Sequence, residues 1–315
     1  MAPVDGKWSK ILIIGGTGNF GKCVVDASIH ANHPTFVLTR PPAADDTEKK
    51  DLLEYFVSLG VELIFGSIHD YEILLEAVKK VDVIISALGH EPAQLEGQVK
   101  ILKAIMEAGN IKRFIPSEFG TDAERVDPVE PAKTVFMMKA QIRQMTRKYG
   151  IPHTIICSNF FQEFFLPRLG QAEVSPPIQG KVSIIGDGDT QAIYVNERDV
   201  AAYVIKAVND PRTLNKILYV RPSKNSYSLN QLVALWEKKT GKTLKKKYIT
   251  EEQLLAKISC SPIPLSLQLS IAYSAYIKGE QTNFIIDPSN GVEATELYPE
   301  VDYVTVEEFI KSCLI

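Results

Sequence analysis

The feature that most constrains this chain is an apolar run, Ile11-Leu12-Ile13-Ile14, that stops abruptly at Gly15-Gly16-Thr17-Gly18-Asn19-Phe20-Gly21. An uninterrupted apolar run bounded by glycines reads as a strand buried on both faces. Asn19 to Ala31 then shows helical spacing. Gly15, Gly18 and Gly21 spell GxxGxxG across the strand-to-helix turn. Glycine permits the tight turn, and the missing Cβ lets backbone N–H groups approach a diphosphate at the helix N-terminus. A glycine-rich surface turn is the bland alternative. The strand before and the helix after favour a dinucleotide-binding βαβ unit.

The rhythm continues through the first half. Strands are expected at Thr35–Leu38, Val61–Phe65, Val81–Ile85, Arg113–Ile115 and Thr154–Cys157. Helices are expected at Lys49–Leu59, Tyr71–Lys80, Gln98–Ala108 and Ala132–Tyr149. Strand–helix alternation with right-handed crossovers predicts an α/β fold with a doubly wound, parallel Rossmann-type sheet. After Asn159 the pattern loosens into an aromatic, loop-like stretch, Phe160-Phe161 and Phe164-Phe165, and then Ser175-Pro176-Pro177. A strand at Val182–Ile185, a turn at Gly186–Asp189 and a helix at Glu197–Val208 follow. Ile217–Val220 is placed to return to the main sheet. Ser228 caps a helix through Trp236 to Lys239 that stops at Gly241. Further helices are expected at Glu251–Ile258, Leu265–Lys278 and Val306–Ser312. The chain is therefore expected to divide into residues 1–157, a dinucleotide-binding Rossmann domain, and 158–315, a smaller irregular α/β part left to bind a substrate. Segments near 190–222 rejoin the first domain.

The end of the second strand bears on the cofactor. An NAD-binding unit places Asp or Glu there for the ribose 2′-hydroxyl; this chain has Thr39-Arg40-Pro41, with Lys49 soon after. A guanidinium binds a 2′-phosphate in a bidentate fork, and a carboxylate would repel it. NADPH is the expected cofactor, with a solvated surface arginine as the alternative reading.

Charge and cysteine content narrow the remaining classes. A net charge of -3 gives no reason to expect nucleic acid as partner. The run Lys245-Lys246-Lys247 reads as the solvated end of a strand or helix. Cys23, Cys157, Cys260 and Cys313 show no metal or disulfide spacing and read as reduced packing residues, so no metal is expected. Met1 to Lys10 lacks a signal-peptide core, and no apolar run approaches a membrane span of about 20 residues. A cytoplasmic protein with no membrane partner is the expectation. The oligomeric state stays open, a homodimer included.

None of the 12 tyrosines has a lysine four residues later, so the Tyr-x-x-x-Lys pair of ordinary short-chain reductases is missing. The helix from Ala132 carries Lys139, and the position four residues earlier is Val135. Lys139 is a candidate general acid or base if burial lowers its pKa; spacing alone leaves it equally a surface lysine. Arg143, one turn along, shares its face and is placed to meet Lys139 or the cofactor.

Several longer segments resemble the plant isoflavone reductase-like family of atypical, NmrA-like short-chain reductases. They are Gly15–Gly21, Asn110–Gly120 (Asn-Ile-Lys-Arg-Phe-Ile-Pro-Ser-Glu-Phe-Gly), Glu130-Pro131-Ala132 with Lys139, Asp210–Lys216, Leu235–Lys239, and Val292-Glu293-Ala294 with Leu297-Tyr298-Pro299. The resemblance covers nearly the whole chain. Lys139-Ala140-Gln141-Ile142-Arg143 is most similar to the phenylcoumaran benzylic ether reductase branch, beside pinoresinol–lariciresinol reductases. The family also includes isoflavone and leucoanthocyanidin reductases and eugenol synthases.

The resemblance implies cofactor contacts at Gly15, Thr17, Gly18, Asn19, Phe20, Gly21, Arg40 and Lys49. It also implies them at Ser86, Ala87, Leu88, Ser117, Glu118, Phe119, Asn159 and Phe160, with Lys139 as the catalytic lysine. Hydride would pass from NADPH to an electrophilic carbon of a phenolic substrate, such as a lignan or neolignan benzylic ether. Lys139 would move a phenolic or carbonyl proton so that a quinone-methide-like acceptor can form. Phe160, Phe161, Phe164 and Phe165 would wall the aromatic substrate, although each reads equally as core. The sequence departs from the family at Gln162-Glu163, expected to narrow or polarise the pocket, and at Tyr273, which stands for a histidine in the substrate region. It departs again in a longer loop, Gly89–Gly97, where His90 reads as solvated or at the pocket mouth. Reduction of an isoflavone, flavan or alkaloid precursor is an alternative, as is an NADP-sensing protein without turnover.

Overall fold

The computed structural model describes residues 8–172, 178 and 180–313. Most of the amino-terminal segment read as lacking a signal peptide, and Ser175-Pro176-Pro177, lie outside the described residues. The first half alternates as expected: β1 (Ile11–Ile14), α1 (Asn19–His30), β2 (Thr35–Thr39), α2 (Thr47–Ser58), β3 (Glu62–Phe65), α3 (Tyr71–Lys79), β4 (Val83–Ser86), α4 (Pro92–Ala108) and β5 (Arg113–Ile115). The five strands are parallel in the order β3-β2-β1-β4-β5. The strand order reverses at β1, so the crevice between the carboxyl ends of β1 and β4 is the topological switch point where such sheets bind ligands.

Alternation of side chains along each strand builds two cores. Ile11, Ile13, Val37, Val83 and Ile85 face one layer with Val24 and Val25 of α1 and Phe56 of α2. Leu12, Ile14, Phe36 and Ile84 face the other, with Leu74 of α3 and Ile101 and Leu102 of α4. Each such side chain contributes roughly 1.5–3 kcal/mol by leaving water. The exception is β3, the edge strand, whose Glu62 and Phe65 are exposed.

One boundary departs from the sequence reading. Helix α4 begins at Pro92 rather than Gln98. Pro92 and Gly97 look like loop residues, but a proline with its fixed φ suits the first helical turn, where its missing N–H costs nothing.

The chain continues with α5 (Ala132–Lys148) and β6 (Thr154–Cys157). The aromatic stretch read as loop-like is instead a short strand, β7 (Phe160–Phe161), and a helical turn, α6 (Gln162–Phe165). Then come β8 (Lys181–Ile185), β9 (Ala192–Val195), α7 (Glu197–Ala207), β10 (Lys216–Tyr219), β11 (Ser226–Tyr227), α8 (Leu229–Thr240) and β12 (Lys245–Ile249). The chain closes with α9 (Glu251–Cys260), α10 (Leu265–Tyr276), β13 (Gly291–Glu293), α11 (Ala294–Leu297) and α12 (Val306–Ser312). Strand β10 pairs in parallel with β6 and β13, and two isolated bridges, Phe114 to His153 and Gly120 to Cys157, join this trio to β5 and the turn after it. Buried Arg113 rivets the junction, donating to Thr154 Oγ1 at 3.0 Å, and to the Ala207 carbonyl and Thr213 Oγ1 at 2.7 Å each. The Asp210–Lys216 segment thus wraps around a cation.

A third core joins Phe160, Val182, Ile184, Tyr194, Leu232, Trp236, Leu254 and Tyr276. Helix α8 has the expected cap: Ser228 and Gln231 form a reciprocal capping box, and Gly241 ends it at φ +69°. Lys245–Lys247 lie exposed on β12, which pairs with β8. Among the described residues no helix is long and apolar enough to cross a membrane.

Candidate functional site

The glycines of the first turn are required for different reasons. Gly15 stands at φ +87°, and a Cβ there would come 2.5 Å from the Ala87 carbonyl oxygen. A Cβ on Gly21 would lie 2.0 Å from the Gly15 carbonyl oxygen. These two let the turn, β4 and α1 close on one another. Gly18 meets only the Gly15 oxygen, at 3.3 Å, so its outer side is open. Helix α1 starts there with no side-chain cap and no acidic residue in its first turn. Its free N–H groups and positive dipole end make an anion site.

A cavity of about 300 Å³ opens on this turn, lined by Gly15, Thr17, Gly18, Thr39, Arg40, Lys49, Ser67, His69, Ala87, Leu88 and Gln94 among others. Among the described residues, two cations face it and no carboxylate does. Ser67 and His69, at the carboxyl end of β3, were missed from sequence. The parallel order of β3 beside β2 was the available signal, since all carboxyl ends in such a sheet meet at one crevice. The hydroxyl of Ser86, fully buried at the end of β4, has no partner among the described residues.

The turns after β4 and β5 are tied together. Ser117 Oγ donates to the Leu88 carbonyl at 2.5 Å, and Ser117 N–H donates to Gln98 Oε1 at 2.8 Å. Glu118 follows, then Phe119 in the left-handed region at φ +43°. The Phe119 N–H donates to the Ile156 carbonyl, and the N–H groups of Ser158 and Asn159 both donate to the Gly120 carbonyl. Asn159 is itself left-handed, at φ +57°. This over-determined turn presents the Glu118 carbonyl to α5, where Lys139 Nζ donates to it at 2.7 Å.

Burial holds the Lys139 ammonium below the ordinary lysine range; Glu118 opposes this and the Arg143 cation reinforces it. His90, on the loop after β4, is also held below its ordinary range, first by desolvation of its ring and then by the Lys139 charge. It therefore stands within the field of Lys139.

Four residues expected at the site are placed differently. Arg143 does not reach the cofactor crevice: it is completely buried. Its Nε and Nη2 grip Glu118 at 3.0 and 2.9 Å, and its Nη1 reaches Asp122 at 2.5 Å and Glu124 at 3.3 Å. Phe160 is core rather than wall, stacked on Phe165 at 4.0 Å and packed against Tyr194 and Tyr276. Tyr273 buries its ring in the third core and donates its hydroxyl to Glu251 at 2.7 Å. Gln162 does not polarise a pocket; it is fully buried, and its amide donates to the Tyr194 and Val304 carbonyls.

Phe161 and Phe164 remain available. Phe161 is half-buried and stacks on Phe20 at 5.2 Å, and Phe20 in turn packs on Phe119 at 4.5 Å. Three aromatic rings thus join α1, the Glu118 turn and β7. Phe164 is 41% exposed beside the Arg168 guanidinium.

A parallel sheet whose strand order reverses at a glycine turn, with a cation-lined crevice at the switch point, defines an α/β protein of Rossmann type. The chain belongs to the NmrA-like family, whose profile matches residues 7–310. It is 55% identical to phenylcoumaran benzylic ether reductase Betv6 of Betula pendula, over 96% of this chain and 98% of that one. It is 54% identical to eugenol synthase 1 of Petunia hybrida, over 96% and 97%. The structure of AtPrR2 with NADP+ and (+)-pinoresinol superposes with a TM-score of 0.91 at 39% identity, covering 98% of this chain and 99% of that one.

Proposed function

We propose that this protein is an NADPH-dependent reductase of phenylpropanoid-type aromatic substrates, with Lys139 as its general acid–base group. The named relatives are reductases and synthases of phenolic compounds, and the AtPrR2 structure holds NADP+. The residues present fit that cofactor. The uncapped start of α1 and the open side of Gly18 suit a diphosphate. Arg40 and Lys49 suit a 2′-phosphate, and the unpartnered Ser86 hydroxyl supplies a further polar group beside the crevice. When bound, the nicotinamide supplies the hydride.

The observation that carries the reading is Lys139 Nζ, held at 2.7 Å on the Glu118 carbonyl one turn-residue away from Ser117. Ser117 is itself bonded to cavity-lining Leu88. The bond of the amine to this turn, its lowered pKa, and the tie from the same turn to Leu88 support a role in exchanging its remaining protons with a phenolic oxygen. Phe161 and the part of the chain after Cys157 supply the apolar side on which a flat ring can lie.

The benzylic ether of a phenylcoumaran is the favoured substrate type. The nearly equal identity to eugenol synthase 1 supports one second reading, reductive formation of an allylic phenol. The test is Lys139→Ala: turnover should fall by roughly 10²–10⁴-fold while NADPH affinity stays nearly intact. Undiminished turnover would remove the lysine from the mechanism.

A further inference from the structure

The Glu118 residue is held at both ends by one helix. Its carbonyl accepts from Lys139, and its carboxylate is clamped by Arg143, one turn along α5. The clamp is deep: the Arg143 guanidinium is 0% exposed and the Glu118 side chain 2%. Asp122 and Glu124 also pair with Arg143, Arg147 closes the outer side on Glu124 at 2.6 Å, and Arg125 lies 3.6 Å from Asp122. The Glu118 and Asp122 carboxylates hold the Arg143 pKa well above its ordinary value against the effect of burial.

An ammonium facing a carboxylate is locked in its charged form, whereas one facing a neutral carbonyl is not. Here the nearest acidic side chain is spent on Arg143, and Lys139 is left with the carbonyl of the same residue as its hydrogen-bond partner. We propose that Arg143 is a positioning residue that sets the protonation of Lys139 by keeping the Glu118 carboxylate away from it. The groups facing Lys139 are Glu118 from the turn after β5, Arg143 on its own helix and Cys157 on β6, with His90 from the loop after β4. Of these, only the Arg143–Glu118 pair has its geometry fixed by a fork-to-carboxylate bond.

This inference rests on the reading of Lys139 as the acid–base group, but its test needs no turnover. The protonation midpoint of Lys139 is read by competitive acetylation with acetic anhydride from about pH 6 to about pH 11, quantified by peptide mass spectrometry. In Arg143→Met the freed carboxylate and the lost cation should raise the midpoint by about one pH unit or more. In Glu118→Gln, which keeps the carbonyl and an amide oxygen for Arg143, the midpoint should fall by about half a unit. Arg143→Lys should lie between wild type and Arg143→Met. A merely structural role loosens the cluster and exposes Lys139 in both variants, moving both midpoints upward. Opposite signs support the proposal; equal signs or no movement overturn it. If Arg143→Met does not fold, Glu118→Gln decides alone, because a midpoint that fails to fall contradicts the proposal. Failure of the lysine mechanism shows separately, as turnover retained in Lys139→Ala.

Discussion

Ser117 and Leu88 join the ends of two adjacent parallel strands: the serine hydroxyl donates to the leucine carbonyl at 2.5 Å. Leu88 lines the cavity over the glycine turn, and Ser117 precedes the residue that holds Lys139. Ser117→Ala removes this tie and leaves a carbonyl short of its donor. We expect a stability loss of about 1 kcal/mol in urea unfolding. We also expect a rise of several-fold in the NADPH dissociation constant, because the crevice wall loosens. Unchanged affinity would separate the two sites.

The glycines give an internal contrast. An alanine at Gly21 would drive its Cβ to 2.0 Å from the Gly15 oxygen, whereas one at Gly18 meets only a 3.3 Å contact. Gly21→Ala should cost about 1–3 kcal/mol or more of stability and abolish NADPH binding. Gly18→Ala should leave the fold nearly untouched and weaken NADPH binding alone. Thermal unfolding and cofactor titration of the pair check this.

Cofactor choice rests on charge. Arg40→Glu places a carboxylate where the crevice has none. It should weaken NADPH binding by roughly tenfold to a hundredfold while changing NADH affinity little. Parallel titrations with both cofactors measure it, and an equal loss for both would argue against a 2′-phosphate site.

Glu197 supplies a pH prediction. Burial raises its carboxyl to about 7, opposed by the N–H groups of Glu163 and of Glu197 itself and reinforced by the charges of Glu163 and Asp199. Asp199, also raised by burial, titrates at about 6. Because the folded carboxyl holds its proton where the unfolded one has lost it, its effect on stability falls as pH rises from about 4.5 to about 7. Glu197→Gln keeps an acceptor for the Glu163 N–H but never ionises. It should be more stable than wild type at pH 8 by on the order of 2–3 kcal/mol, with the gap shrinking at pH 5. Urea denaturation at the two pH values measures the gap.

The first half of the fold was legible because its strands are continuous apolar runs, whose burial on both faces the sequence states directly. Strands β9, β11 and β13 were not read. Two to four residues long, they owe their strand geometry to neighbours distant in the chain, such as Tyr219 beside Glu293. The crevice residues Arg40 and Lys49 were legible from their place after β2. Arg143 was misplaced because helical spacing gives a shared face with Lys139 but not what covers that face. Glu118, Asp122 and Glu124 arrive from the turn after β5, whose path depends on the left-handed Phe119. Phe160 and Phe161 are adjacent, yet strand alternation sends one into the core and leaves the other beside Phe20.

The proposed reaction consumes NADPH, held over the glycine turn, against an aromatic substrate with the help of Lys139. The direct measurement is anaerobic incubation of the purified protein with NADPH and a panel of phenolic benzylic ethers and related phenols, following loss of the reduced nicotinamide absorbance. We predict consumption with at least one aromatic substrate, lost in Lys139→Ala even though that variant still binds NADPH. Tight NADPH binding by wild type with no consumption against any member of the panel would contradict the account, and would mark the protein as a binder of the dinucleotide rather than a reductase.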